Sequence, residues 1–345
     1  MLMDFLIALA ATLASLEALR RIAPRLGLMD RPDARKRHAV PTPLVGGLAL
    51  NIGVFVGWLC DPALVADPAV QSLMLGMGAL LIVGVWDDRR ELSVRVRFLT
   101  QIGAAAVLIV WGDVTVRQLG DLVGVGLIEL GPLHGLFTAI CVVGVINALN
   151  MVDGLDGLSG SLALVSLLTL LALAMTAGQA QDMRVIALLL GGVVGFWLYN
   201  ARIFGRSRAL VFMGDAGSMV LGLALAWLTI HMTQQTPAAM SASSALWVVL
   251  VPLVDMFSSL FRRLSEGSKP FGADRRHFHH WLQANGLSVN ATVLTMSALA
   301  VLGGAAAFWG DASGVPQWVR FVAINLLCFV YFLSVRRFWR ARGDA

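Results

Sequence analysis

The stretch Asn147-Ala-Leu-Asn-Met-Val-Asp-Gly-Leu-Asp-Gly-Leu-Ser-Gly160 joins two long apolar segments of the chain. It places two carboxylates, Asp153 and Asp156, at the end of the first segment, and a glycine follows each of them. If the backbone is helical there, a spacing of three residues puts both side chains on one face. The glycines remove side-chain bulk, so a ligand could approach the backbone closely. Because a bilayer penalises carboxylates on a lipid-facing helix, the stretch indicates a functional site at a membrane boundary.

The composition places this site in a membrane protein. The 345 residues are 58% hydrophobic and 14% charged, with a mean hydropathy of +0.77, whereas a soluble protein carries roughly a quarter charged residues. Apolar runs near the length needed to cross a bilayer, about 20 residues, recur along the chain. We therefore predict an all-α, polytopic integral membrane protein, a single transmembrane catalytic domain over 1–345. Its about eleven predicted spans are 2–19, 44–60, 69–86, 98–111, 132–149, 157–177, 183–200, 217–235, 244–263, 289–309 and 318–335.

The basic residues predict the orientation of these spans. Twenty-three of the 26 lysine and arginine residues fall in segments on one side of the predicted spans, and the other side has only Arg117, Arg184 and Arg320. The positive-inside rule makes the first side cytoplasmic, with the N-terminus outside and the C-terminus inside. The same bias explains the net charge of +5 without a nucleic-acid partner. The cytoplasmic loops predicted to form the active site are 20–43, 87–97, 150–156, 201–216 and 262–288.

The first two of these loops carry opposite charges. The run Arg35-Lys36-Arg37-His38 suits a topology anchor at anionic lipid headgroups, or the capture of a phosphate by Arg35 and Lys36. Asp87 and Asp88 lie side by side at a predicted helix end. Adjacent carboxylates are tolerated beside arginines or a bound cation, and oxygen ligands favour a hard cation such as Mg²⁺.

Two later loops and one span add further candidates. Asp215, within Phe212-Met-Gly-Asp-Ala-Gly-Ser218, suits either a helix cap or a site for a metal-bound phosphate. Arg275, His277, His279 and His280 suit polyanion binding, acid–base work or a basic surface loop. Asp255 lies inside a predicted span, where an acid is expected to be functional or paired with a neighbouring helix.

Taken together and in this order, the stretches resemble the polyprenyl-phosphate N-acetylhexosamine-1-phosphate transferases, glycosyltransferase family 4. The resemblance runs from Asp30 to His280. It is closer to the bacterial undecaprenyl-phosphate branch that uses UDP-N-acetylglucosamine than to the branch that uses UDP-MurNAc-pentapeptide. Glu91 and Phe278 depart from the branch pattern, which often has aspartate at the first position and an aliphatic residue at the second.

The resemblance implies a reaction and its participants. A sugar 1-phosphate moves from a UDP-N-acetylhexosamine, best taken as UDP-N-acetylglucosamine, to undecaprenyl phosphate in the bacterial inner membrane, and UMP is released. Mg²⁺ is the implied cofactor, with Mn²⁺ as a substitute. Membrane lipids surround the chain, and Gly191, Gly192 and Gly195, taken as lipid-facing, leave a homodimer open.

The resemblance also implies roles for individual residues. Asp215 is the main Mg²⁺ ligand, assisted by Asn150, and Asp87 or Asp88 deprotonates or positions the lipid phosphate. Asp153 and Asp156 shape the nucleotide–metal site. The remaining residues bind substrate: they are Arg35, Lys36, Arg275, His277, His279 and His280.

Three rival functions make different predictions. A transporter would spread polar residues through the membrane midplane or repeat its halves, whereas here they crowd onto one face. A CDP-alcohol phosphotransferase needs the signature Asp-Gly-x-x-Ala-Arg followed by spaced glycine and aspartate residues. The sequence after Asp153-Gly-Leu-Asp156 does not continue in that way. A non-catalytic scaffold would have no use for these acids.

Overall fold

Helices account for nearly all of the regular structure. In a computed structural model, the described residues are 1–31, 40–90, 92–267 and 276–341. The helices are α1 Leu2–Leu26, α2 Gly46–Leu59, α3 Pro62–Ala66, α4 Pro68–Arg90, α5 Val94–Val110, α6 His134–Val152, α7 Leu158–Ala177, α8 Ala180–Asn200, α9 Gly214–Gln234, α10 Ala242–Val248, α11 Leu250–Ser265, α12 Phe278–Ala284, α13 Val289–Ala312 and α14 Gln317–Ala341. A 3-10 turn at Gly131–Leu133 precedes α6. The only strands in the described ranges, β1 Met29–Asp30 and β2 Thr42–Pro43, pair antiparallel.

The fold class predicted from the sequence is confirmed, but the number of spans is not. Within the described residues, eight helices are long and apolar enough to cross a membrane. A ninth span results if α10 and α11, which meet at 85°, are counted as one. The other two predicted spans lie on α2 and α5, which have 14 and 17 residues. A count of eleven therefore stays a prediction that depends on how these two shorter helices sit in the bilayer.

Helix α9 forms the centre of the bundle, because almost every residue along it is buried. Small residues let neighbouring helices approach its backbone. A Cβ atom added at Gly47 of α2 would collide with Gly217 of α9, and one at Gly84 of α4 would collide with Ala216. A Cβ atom at Gly222 of α9 would lie 2.5 Å from Cα of Ile146 in α6.

The glycines on α8 serve the same purpose, and their predicted lipid-facing position is wrong. Gly191, Gly192 and Gly195 are buried. Gly191 and Gly195 pack against Phe5 and Thr12 of α1, and Gly192 packs against Val54 of α2. These glycines therefore join helices within one chain, and a homodimer stays a prediction without their support.

The loop between α5 and α6 contains a short paired segment, although its position differs from the predicted hairpin. The sequence pattern suggests pairing of 114–116 with 123–130. Instead, Gln118 forms an isolated bridge with Glu129, and the Leu119 amide donates to the Ile128 carbonyl at 2.9 Å. Val114, Thr115 and Val116 are buried, so these residues pack inward and the pairing begins after them.

Candidate active site

One end of the bundle encloses a cavity of about 1320 Å³. Helices α4, α6 and α8 end there, and α7 and α9 begin there, so five helix ends meet at one place. Seven of the predicted site residues line it: Asp87, Asp88, Asn150, Asp153, Asp156, Asp215 and His280. Arg35, Lys36 and Arg275 lie outside the described residues.

Asp88 holds the beginning of α9 against the end of α4. Its Oδ1 atom accepts a hydrogen bond from the Asp215 amide at 2.9 Å, and its Oδ2 faces the Ala216 amide at 3.5 Å. The first amides of a helix lack partners within the helix, so a carboxylate from another helix can cap them. Gly214 makes this approach possible, because its φ is +72° and an added Cβ would collide with the Asp88 carboxylate. The interaction fixes where Asp215 enters the cavity.

Arg97 at the start of α5 joins two carboxylates from different helices. One guanidinium nitrogen donates to Oδ2 of Asp87 at 3.1 Å and to Oδ2 of Asp215 at 3.0 Å. Asp87 is 6% exposed and also accepts a hydrogen bond from the Leu92 amide. The guanidinium of Arg97 therefore offsets the repulsion between the carboxylates of Asp87 and Asp215. A bound cation would be attracted to the same two carboxylates.

Asn150 is bonded to the same acid. Its Nδ2 donates to Oδ1 of Asp215 at 2.8 Å and to Oγ of Ser218 at 2.9 Å. Among the described residues, no group of three or more His, Cys, Asp or Glu side chains is close enough to hold a metal ion by itself. The available donors are carboxylate and amide oxygens. That donor set fits Mg²⁺, which is commonly bound by one or two carboxylates together with water and substrate phosphates.

Asp153 follows the last residue of α6 and has an altered affinity for protons. Oγ of Ser159 donates to its Oδ1 at 2.5 Å. Desolvation raises the pKa of Asp153 to about 7, and the negative charges of Asp215 and Asp156 act in the same direction, whereas the hydrogen bond from Ser159 opposes the shift. Near neutral pH this carboxyl group can therefore hold or release a proton at the cavity wall.

Asp156 instead fastens the loop between α8 and α9. Its Oδ2 accepts hydrogen bonds from Nε of Arg202 at 2.8 Å and from the Ala209 amide at 3.0 Å. Arg202 and Arg208 both line the cavity. Asp156 thus holds a basic loop beside the acidic residues, which places cationic groups where an anionic substrate would need them.

The three histidines divide into one that lines the cavity and two that lie behind it. His280 is on the cavity wall, whereas His277 and His279 are buried. His277 is paired with Asp255 of α11, with 2.9 Å between Nδ1 and Oδ2. Asp255 therefore has a partner in a neighbouring element, which is one of the two arrangements that the sequence allowed.

Comparison with known proteins agrees with this arrangement. The sequence profile described as "Glycosyl transferase family 4" matches residues 70–233. The undecaprenyl-phosphate alpha-N-acetylglucosaminyl 1-phosphate transferase of Salmonella typhi is 36% identical over 323 residues, which are 93% of this chain and 87% of that protein. The protein of the same name from Escherichia coli K12 is 34% identical over the same shares. That from Pasteurella multocida is 32% identical over 99% of this chain and 95% of that protein. This chain belongs to glycosyl transferase family 4.

The family profile covers only part of the site. It includes Asp87, Asp153 and Asp215 but ends before α11, α12 and α14. The longer alignments to family 4 members extend over most of the chain. The resemblance inferred from the motifs is confirmed by both comparisons.

Several residues of the cavity region were not singled out from the sequence. Arg97 bridges two acids, and Arg202, Arg208 and Trp339 line the cavity. The arginines lie in predicted cytoplasmic loops that contributed to the positive-inside count, so charge was a usable signal for them. Trp339 lies near the end of the last helix, and no motif pointed to it.

Proposed function

We propose that the chain transfers N-acetylglucosamine 1-phosphate from UDP-N-acetylglucosamine to undecaprenyl phosphate. An oxygen of the lipid phosphate attacks the β-phosphorus of the donor and forms a new O–P bond. The bond between that phosphorus and the bridging oxygen breaks, and UMP leaves with the oxygen. The product is a lipid-linked sugar diphosphate, the first intermediate of a cell-surface glycan.

The observation that carries this proposal is the Asp87–Arg97–Asp215 bridge at the wall of a large cavity. It joins acidic and basic groups from α4, α5 and α9 where two anionic substrates have to meet. The relatives named as transferases of this kind supply the substrate class. Neither a transporter nor a scaffold would need such a cluster at one end of the bundle.

Mg²⁺ fits the oxygen donors of this cluster, and Mn²⁺ is expected to substitute for it. Asp215 is the proposed main ligand, and Asn150 assists through its amide oxygen. In the structure the Nδ2 atom of Asn150 faces Asp215, so the amide has to turn over before its oxygen can bind the cation. When bound, the cation would neutralise charge on the diphosphate and on departing UMP. The same side chains are held by Arg97 and Ser218, so these two residues would pre-position the ligands.

The two aspartates at the end of α4 take different roles in this proposal. Asp88 faces the amides of α9 and positions Asp215. Asp87 faces Arg97 and is the better candidate for contacting the lipid phosphate. A phosphate monoester is already largely dianionic near pH 7, so it needs orientation more than a strong base. We therefore favour direct attack, with Asp153 able to hold a proton at its carboxyl group.

The basic and histidine residues bind the phosphates and the sugar in this proposal. His280, Arg202 and Arg208 lie on the cavity wall. His279 lies directly behind it. Lys36, Arg35 and Arg275 keep their predicted roles toward the lipid phosphate and the donor. The excess of basic residues at this end of the bundle supports a cytoplasmic active site, and the proposed location is the bacterial inner membrane.

The test measures UMP release by purified protein in detergent with undecaprenyl phosphate, Mg²⁺ and a panel of UDP-sugars. Lipid-dependent UMP from UDP-N-acetylglucosamine, abolished by EDTA and restored by excess Mg²⁺, supports the proposal. Asp215→Ala is the matched variant, and it should lose activity most severely at limiting Mg²⁺. If UMP were released only from a UDP-sugar other than UDP-N-acetylglucosamine, the assignment of the sugar would be overturned. No release from any donor by folded protein would overturn the reaction.

A further inference from the structure

Asp255 is a buried acid of α11 with hydrogen-bond partners on both carboxylate oxygens, and nothing in the proposed reaction uses it directly. It is 2% exposed. Its Oδ1 accepts a hydrogen bond from the Phe278 amide at 2.8 Å and another from the Tyr331 hydroxyl at 2.9 Å. Its Oδ2 accepts from Nδ1–H of His277 at 2.9 Å. A buried carboxylate is stable only with such partners, so Asp255 ties three chain segments together.

The bonded residues lie at the base of the histidine segment. His277 is the N-cap of α12, and Phe278 is its first residue. Asp255 therefore caps α12 from a different helix and also sets the direction of the His277 ring. Because a carboxylate can only accept, Nδ1 of His277 carries the hydrogen. A helix of seven residues has little stability of its own, so its position depends on these tertiary bonds.

From His277 the contacts lead directly to the central acidic loop. The rings of His277 and His279 are stacked, with centroids 5.9 Å apart and an interplanar angle of 8°. His279 packs against Gly154, where an added Cβ atom would lie 2.5 Å from Nε2 of His279. Gly154 follows Asp153 on the cavity wall. The position of α12 therefore determines how the histidines meet the loop that carries Asp153.

The last helix holds the other side of α12. Tyr331 of α14 donates to Asp255 and makes an edge contact with Phe278, with centroids 5.1 Å apart. Trp281 of α12 packs edge-on against Phe338 of α14 at 6.0 Å. Trp339, next to Phe338, lines the cavity. Helix α14 thus carries both a polar and an aromatic attachment for the histidine segment.

We infer that Asp255 and Tyr331 are positioning residues for the transfer reaction, acting through His277 to hold His279 against Gly154 and His280 at the cavity wall. This inference rests on the proposed function for its kinetic consequence, but its structural part is independent of it. It assigns a function to the last helix, which contributes no acid to the cavity. It also gives a role to an acid that lies inside the bundle, where an unpaired one would be costly.

The kinetic test compares two variants that each remove one phenolic hydroxyl. Tyr331→Phe deletes the bond to Asp255, and Tyr199→Phe deletes the bond to Glu17 of α1, a helix that does not line the cavity. We expect Tyr331→Phe to lower kcat/KM for the donor about tenfold, with the KM for the lipid and the melting temperature unchanged. Asp255→Asn should lose on the order of 100-fold. Tyr199→Phe should keep the activity of the parent protein.

Hydrogen exchange tests the position of α12 without any substrate. In Tyr331→Phe, the amides of 277–284 should exchange faster than in the parent protein, while Tyr199→Phe leaves them unchanged. Equal exchange and equal kinetics in the two variants would overturn the inference, as would a kinetic loss in Tyr331→Phe without faster exchange. If the parent protein releases no UMP, the proposed reaction fails, and the exchange measurement still decides whether Tyr331 positions the histidine segment.

Discussion

At the scale of single residues, the neighbouring acids Asp87 and Asp88 are chemically alike but occupy different surroundings. Asp88 accepts from the first amides of α9, whereas Asp87 shares a guanidinium with Asp215. Asparagine caps a helix about as well as aspartate, but it cannot supply a negative charge beside Arg97. The two positions should therefore respond differently to the same substitution.

We expect Asp87→Asn to lower kcat for UMP release by about 100-fold or more, a loss typical of a charged group that contacts the reacting phosphates. Asp88→Asn should stay within about tenfold of the parent protein, because its amide oxygen can still accept from the Asp215 amide. Steady-state kinetics at saturating Mg²⁺ measure both. Equal losses in the two variants would contradict the division of roles, and Asp88→Ala, which cannot cap, should lose far more than Asp88→Asn.

The raised pKa of Asp153 predicts how stability depends on pH when no metal is bound. The ordinary pKa is 3.8 and the folded value is about 7, so the folded protein binds this proton more tightly than the unfolded chain. Stability should therefore fall as the pH rises through this window and level off above it. We expect the melting temperature of EDTA-treated protein to drop between pH 5 and 8 by on the order of 2–5 °C.

Asp153→Asn should remove this part of the pH dependence, because the amide has no proton to lose. Asp113→Asn is the control, since Asp113 is an exposed acid that pairs with the nearby Arg117. Melting curves in detergent at several pH values compare the three proteins. An unchanged slope in Asp153→Asn would show that Asp153 is not the group responsible.

At the scale of helices, the acids meet because α4 and α9 are in backbone contact. Gly84 of α4 leaves no room for a Cβ atom beside Ala216 of α9. One turn further along α4 lie Asp87 and Asp88, and Asp215 precedes Ala216. Any separation of the two helices at Gly84 therefore widens the acidic cluster as well.

Gly84→Ala should destabilise the protein by about 1–3 kcal/mol, as overpacking does, and should lower kcat on the order of 100-fold by displacing Asp87 from Asp215. Gly103→Ala on α5 is the control, because nothing lies within 4 Å of its added Cβ. Alanine is the better helix former by about 1 kcal/mol, so that variant should be neutral or slightly stabilised. Thermal unfolding and UMP release, measured together, would contradict the packing argument if both variants behaved alike.

The arrangement of the helices explains which parts of the site could be predicted from the sequence. Hydropathy and charge indicated where helices begin and end, so Asp87, Asn150, Asp153 and Asp215 were correctly expected at one end of the bundle. The bridge from Arg97 to Asp215 joins residues 118 positions apart, and no local pattern encodes such a pairing. Whether a glycine faces lipid or another helix is equally hidden in a uniformly apolar helix, which is why the prediction for Gly191 was wrong.

At the scale of the whole molecule, the cavity lies at one end of the bundle, and the opposite end has few basic residues. The cavity with its acids, arginines and histidines lies at one end. Arg184 pairs with Asp4 and Asp61 at the other end, and Arg320 pairs there with Asp311. These basic residues are tied to acids, so they add little net positive charge to their side. Because the positive-inside rule counts lysine and arginine rather than net charge, the orientation prediction continues to rest on the unequal number of basic residues at the two ends.

Two cysteine positions test this orientation directly. Cys60 is exposed at the end of α2 that lies away from the cavity, whereas Cys141 and Cys328 are partly buried. Ser207 is exposed in the loop between α8 and α9, beside the cavity. With Cys141 and Cys328 replaced by alanine, Cys60 should react with a membrane-impermeant maleimide in intact spheroplasts. In a second protein carrying Cys60→Ser and Ser207→Cys, labelling should require permeabilisation, because a site that takes a cytoplasmic nucleotide sugar has to face inward. The reverse pattern would place the cavity outside, where no UDP-sugar is supplied, and would remove the donor on which the proposed reaction depends.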